Sequence, residues 1–296
     1  MTEFVLDEVP DTIADRGVWS SLRVQLLFWV CSFVLGLLGL IALLPGPITK
    51  VFGQSDPRAC DLRRSSQGPS SDHVFGTDLQ GCDIFANVIY GTRTSLFIGL
   101  ATTAMCLFVA LIVGTIAGYY GGPIDTLISR LTDIFLGFPF ILGAIIVLNS
   151  VRRPTPIVVS AVLALFVWPT MSRLVRGAVR AVRRTEYVHA ASAMGLSDRR
   201  ILTGHVMPNS LGPVLSIAAT VVGSVIVAES TLTFLGVGLR APSISWGLQL
   251  ANAQSQFAQS PHLLIFPALF LSLTVLALVT LGDILRDALD PKGRQK

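Results

Sequence analysis

Few residues in this chain are of types that could do chemistry. Glu229 is the one acid deep in an apolar run. An intramembrane carboxylate is a candidate for function by default. Two roles stay open for it: a hydrogen-bonding anchor, or contact with a substrate or gate near the outer end of its span, where water could reach it. His189 and His205 stand sixteen residues apart with no cysteine between them. That spacing suits neither a zinc site nor a general base with its partner, so no metal is expected. Asp125, Arg130 and Asp133 read as an exposed ion-pair and headgroup cluster in a short inner loop, with contact to a partner protein as the alternative. No Ser–His–Asp spacing and no carboxylate pair rises above chance, and no Gly-x-x-x-x-Gly-Lys-Ser/Thr phosphate loop is present. Catalysis and nucleotide binding by this chain are therefore not expected.

What the chain offers instead is a surface. Tyr187, Ala190, Ala191 and Met194 fall at i, i+3, i+4 and i+7, the period of one apolar helical face. Gly195 supplies the left-handed residue that ends such a helix. Ser197 is placed to cap a second helix through Ile201 and Leu202, limited by Pro208. Periodicity alone leaves two readings open: a docking surface, or an ordinary amphipathic helix at the membrane interface.

The elements that must position this loop are apolar. Of 296 residues, 52% are hydrophobic and 14% charged, with a mean hydropathy of +0.67. A soluble domain carries nearly twice that charge. Six apolar runs, at 24–44, 95–118, 134–151, 156–174, 211–233 and 262–282, are each long enough to cross ~30 Å of hydrocarbon as a helix. They lack the alternation of a membrane β-barrel. The expected fold class is therefore all-α and integral to the lipid bilayer. Prolines in Arg152-Arg153-Pro154-Thr155-Pro156 forbid one helix across the third and fourth runs.

The N-terminal tail, with Glu3, Asp7, Glu8, Asp11 and Asp15, is acidic where a signal peptide is basic, so the first run is expected to be retained. Between the fourth and fifth runs lie Arg173, Arg176, Arg180, Arg183, Arg184, Arg199 and Arg200. This excess places the loop in the cytoplasm and, by counting, both termini inside. Arg152 and Arg153 fall outside in that count and are outvoted. The net charge of +4 reflects this asymmetry and is no signal for nucleic acid.

In the outer loop, Gln67 to Ser71 reads as a flexible turn. Residues 83–90 carry a helical face that could lie along the membrane or receive a partner. Cys60 and Cys82, in the same loop, could form a disulfide or remain two unrelated thiols. Cys31 and Cys106 fall within spans as packing residues. Gly114 and Gly118 form a small-xxx-small pair that permits close helix contact.

With these residues in view, the 187–208 loop resembles the Glu-Ala-Ala loop of ABC importer permeases. Ala190, Ala191, Gly195, His205 and Pro208 match, and His189 stands where that family has Glu. Three further stretches are similar to the C-type permease of dipeptide, oligopeptide and nickel importers. They are His73 to Asp83 with Gly91 to Leu96, Leu232 to Gly238 with Ser245-Trp246-Gly247, and Gly282 to Pro291. Cys82 replaces an Arg usual there. The resemblance implies a type I ABC importer permease fold of six spans with a cytoplasmic coupling-helix loop. It implies a core over 71–291, preceded by a tail, first span and start of the outer loop (1–70) and followed by a short cytoplasmic tail (292–296).

The implied partners are a second, related permease, two cytoplasmic ATPase subunits or domains carrying ATP and magnesium, and an extracytoplasmic substrate-binding protein. The implied location is the cytoplasmic membrane of a bacterium or archaeon. Peptides are the expected cargo, with nickel or glutathione as alternatives and a stand-alone secondary carrier as the competing class.

Overall fold

A computed structural model describes residues 22, 23, 25–52 and 56–289. The acidic N-terminal tail and the basic residues Lys292, Arg294 and Lys296 lie outside the described residues. The helices are α1 (Leu26–Leu43), α2 (Pro45–Val51), α3 (Ile84–Tyr120), α4 (Gly122–Gly137), α5 (Phe140–Ser150), α6 (Pro156–Arg183), α7 (Glu186–Ala193), α8 (Asp198–Ile201), α9 (Met207–Phe234), α10 (Trp246–Ala253) and α11 (His262–Leu289). Among the described residues there is no β-strand, only an isolated bridge between Thr77 and Asp83.

Helices α3 and α6 run parallel in direct contact. Thr102 Oγ1 donates to Ser160 O at 3.2 Å, and Cys106 Sγ to Ala164 O at 3.7 Å, both 58 residues apart. The same offset carries Gly114 against Ser172 and Gly118 against Arg176. A methyl added at Gly114 would lie 2.6 Å from Ser172 O, and one at Gly118 2.8 Å from Arg176 O. The glycine pair thus sets the helix separation. Helix α9 packs against α3, α6 and α11, and α1 lies against α11 and α3. At the α9–α11 crossing, Gly282 sits under Thr220 and Ser216. Large apolar side chains such as Phe33, Phe108, Ile146 and Leu276 point outward. This is the pattern of a bundle whose solvent is lipid.

The spans differ from the sequence expectation in three ways. First, residues 83–90 do not form a separate surface helix. Helix α3 begins at Ile84, capped by Asp83, whose carboxylate accepts from Ala86 N at 2.7 Å, and it runs about 55 Å at 1.5 Å per residue.

Second, the third span is broken. Helices α4 and α5 meet at an 81° bend. Pro139 forces the preceding Phe138 out of helical geometry, to ψ 131°. Among the described residues, five helices are long and apolar enough to cross a membrane, or six with this broken pair.

Third, the segment from Ile201 is no separate short helix limited by Pro208. Residues 198–234 form one continuous helical rod. A π-turn at Leu202–Val206, in which Met207 N donates to Leu202 O, leads into α9 with Pro208 in its first turn. The wider turn accommodates a proline ring and its missing N–H without a break.

Candidate functional site: the 186–208 loop and the 56–83 cap

In the 186–208 loop, α7 is an eight-residue helix. Val188 and Ala191 are buried against the bundle, while Tyr187, His189, Ala190 and Met194 are exposed. The expected apolar face is thus split. Ala191 seats the helix, and the other three residues stand open. Gly195 takes φ +81°. Gly195 N donates to Ser192 O at 3.0 Å and Leu196 N to Ala191 O at 3.2 Å, the paired bonds of a Schellman ending.

Ser197 makes no side-chain cap, contrary to expectation. The start of the rod is held instead by Tyr119, whose hydroxyl donates to Asp198 Oδ1 at 3.0 Å. The Arg183 guanidinium lies 5.0 Å above the same ring. His205 is half-buried, and its carbonyl accepts from Asn209 Nδ2 at 2.6 Å. Among the described residues no cluster of His, Cys, Asp and Glu could hold a metal ion.

The acid–arginine cluster is not an exposed loop. Asp125 lies on α4, is buried, and accepts from Arg176 Nη2 at 2.9 Å and also from Arg180. Asp133 pairs with Arg173 at the surface. The arginines recur every three or four residues along α6, so one face of α6 grips one face of α4. Arg130 is exposed. Sequence spacing could not reveal this zipper, because the partners lie 40 to 55 residues apart.

Glu229 lies at the other end of the rod and is fully buried, so water does not reach it. Thr233 Oγ1 donates to its carboxylate at 2.9 Å, and Ser230 Oγ and Ser245 Oγ at 3.3 Å. Ser245 Oγ also accepts from Leu248 N at 3.2 Å, capping α10. Trp246 is fully buried and bonds through its indole N–H to Val88 O at 3.2 Å. A methyl at Gly247 would lie 2.7 Å from Ser230 Cα. The Ser-Trp-Gly stretch therefore locks α10 between α9 and α3, with Glu229 as the acceptor at its centre.

Outside α3, residues 56–83 fold into a cap. Cys60 and Cys82 are disulfide-bonded. Asp61 N donates to Gly81 O at 3.2 Å, Ser66 N to Asp78 O at 2.9 Å and Thr77 N to Gln67 O at 2.9 Å, so the Gln67–Ser71 turn is pinned. Phe75 stacks on Phe266 at 4.0 Å. Asp78 Oδ1 accepts from Gln80 N and Cys82 N, each at 2.8 Å. Burial pushes the Asp78 carboxyl above its ordinary value, against those backbone donors, which lower it.

Residues 110–295 match the family described as binding-protein-dependent transport system inner membrane component. The chain is 40% identical over 232 residues to a glutathione transport system permease protein of Pectobacterium atrosepticum, covering 78% of this chain and 77% of that one. It is 36% identical over 291 residues to a dipeptide transport system permease protein of Bacillus subtilis, covering 97% and 88%. An oligopeptide transport system permease protein of Haemophilus influenzae is 38% identical over 79% of this chain and 76% of its own length. In fold, the chain resembles a solved amino acid ABC transporter with a TM-score of 0.54 at 14% identity, over 68% of this chain and 92% of that one.

Proposed function

The chain belongs to the binding-protein-dependent transport system inner membrane components, the multi-pass permease subunits of ABC importers, and from that premise we propose that it carries peptides inward. Support for the cargo comes from relatives named for dipeptide and oligopeptide transport. In this proposal a second permease completes the pathway. Two cytoplasmic ATPases bind ATP and magnesium, and an external binding protein delivers the peptide. Both termini face the cytoplasm.

One observation carries the coupling role: Tyr187, Ala190 and Met194 stand exposed on a helix whose other face is seated by Val188 and Ala191. An ATPase cleft can take that face. The Schellman ending turns the chain directly into the 198–234 rod, so displacement of α7 reaches the outer end without a flexible joint. There Glu229 holds the Ser245–Trp246 segment, and the tilt of the rod is passed to α10. Glu229 is thus a structural anchor in this mechanism rather than a substrate contact.

Uptake of labelled dipeptide in a deletion strain complemented by this chain, competed by oligopeptide, glutathione or nickel, tests the cargo. Competition by glutathione alone would favour the second reading, which the 40% identical glutathione permease supports. Uptake that persists after residues 187–194 are replaced by a Gly-Ser linker would refute the coupling role. So would labelling of Met194→Cys by an impermeant thiol reagent from outside the cell.

A further inference from the structure

Two adjoining cavities, of about 250 and 140 Å³, open beside the outer cap and share Asp78, Gln80, Asn87, Gln249 and Asn252. Their combined wall is ordered by chemistry. At one end stands Arg58, beside the Cys60–Cys82 disulfide and the 241–244 loop. Its Nη2 donates to Pro242 O at 3.0 Å, and a guanidinium keeps further donors beyond that one. At the other end the wall is apolar, with Leu79, Ile84, Ala253 and Leu263.

Between these ends Asp78 is the one charged group. Gln249 Nε2 is committed to Asn87 O at 2.8 Å, while Gln249 Oε1 is buried with no partner. Asp78 forms no ion pair with a lysine or arginine among the described residues. A partly buried carboxylate with no cation beside it leaves room for one that donates hydrogen bonds.

We propose that this groove is an extracytoplasmic subsite for the free ends of a short peptide. The α-ammonium sits on Asp78, the α-carboxylate lies toward Arg58, and the first side chain enters the apolar end. This deepens the peptide reading and rests on it. The order of the three wall chemistries matches a zwitterion with an apolar first residue. It does not match an anion, which Asp78 would repel, or a simple cation, which would leave Arg58 and the apolar end unused.

The test uses the importer purified through this full-length chain in nanodiscs, without binding protein, and the dipeptide Leu-Ala as probe. Leu-Ala should bind at least about tenfold more tightly than N-acetyl-Leu-Ala, the scale of one lost charge-assisted hydrogen bond. Asp78→Asn keeps the oxygen that accepts from Gln80 N and Cys82 N. It should weaken Leu-Ala by about tenfold yet leave N-acetyl-Leu-Ala unchanged, because each change removes one partner of the same contact. Arg58→Gln should show the same pattern with Leu-Ala amide. Equal losses for free and acetylated peptide, or no loss, would overturn the site.

Should Asp78→Asn fail to fold, a benzophenone-bearing dipeptide on the unmodified protein decides. Crosslinks must fall within 57–60, 78–87 or 241–253, and crosslinks confined elsewhere overturn the site. If cells take up no peptide, both the cargo and the subsite are wrong. If uptake is intact and Leu-Ala affinity is unchanged in Asp78→Asn, only the subsite is.

Discussion

Replacing Gly114 with alanine adds one methyl at the contact between α3 and α6. That methyl would lie 2.6 Å from Ser172 O and 2.9 Å from Val175 Cβ. Neither neighbour is the free end of a flexible side chain: one is backbone and the other is the branch point of a valine. The helices must part by several tenths of an ångström along the tightest stretch of their shared face. Overpacking of this kind costs about 1–3 kcal/mol.

Alanine also favours a helix over glycine by roughly 0.8–1.0 kcal/mol, which would mask part of the loss. Gly177→Ala supplies the correction. It lies on α6 close in sequence to the contacts of Gly114 and Gly118, and an added methyl there meets nothing within 4 Å. The difference between the two variants cancels the backbone contribution and leaves the steric one, about 1–3 kcal/mol. The assay is thermal unfolding of the full chain in nanodiscs, with both variants scanned beside the parent. Gly114→Ala is expected below Gly177→Ala, and Gly177→Ala at or above the parent. Removing the γ-methyls of Val175 should restore less than half of the loss, because Ser172 O and the residue's Cβ remain. If Gly114→Ala and Gly177→Ala unfold together, the glycine pair does not set the helix spacing.

Other perturbations act at separate points. Gly195→Val forces a β-branched residue to φ +81°, costing about 1–3 kcal/mol locally; stimulated ATP hydrolysis by the assembled importer should fall while the fold persists. Ser245→Ala removes both a donor to Glu229 and the cap of α10, and should lower stability by about 1–2 kcal/mol, read by the same thermal scan. Replacing Cys60 and Cys82 together with serine frees the cap and removes roughly 3 kcal/mol on the chain-entropy account; residues 57–82 should become protease-sensitive while helical circular dichroism stays unchanged. Asp125→Ala leaves Arg176 without its buried partner and should loosen α4, seen as faster hydrogen exchange over 122–137 than over 156–175.

Much of the helical architecture was legible in the sequence, because apolar length is a one-dimensional signal. The Gly195 turn was legible for the same reason: its cause lies within four residues. Bonds between distant segments were not. Tyr119 to Asp198 spans 79 residues and Trp246 to Val88 spans 158, and nothing in local spacing pairs them. Glu229 stood out as an acid in an apolar run, but its burial depends on Ser245 arriving from the next loop. The cap gave a mixed signal. Its glycines and serines read as flexible, yet Thr77, Asp78 and Gly81 provide bonds that hold it in one conformation.

The π-turn at 202–206 acts as a phase setting on the rod. It holds one residue more per turn than the helices on either side, and each residue of an α-helix advances the azimuth by about 100°. Deleting a single residue there would restore ordinary pitch without shortening the helix noticeably. It would leave every side chain beyond it near its present azimuth, because the wide turn spends five residues on the rotation that four make in an α-helix, whereas one residue deleted from the regular pitch of α9 would swing Glu229 by about 100°, away from Ser245. The alignment between the two faces of the membrane thus depends on a count of residues rather than on any one side chain.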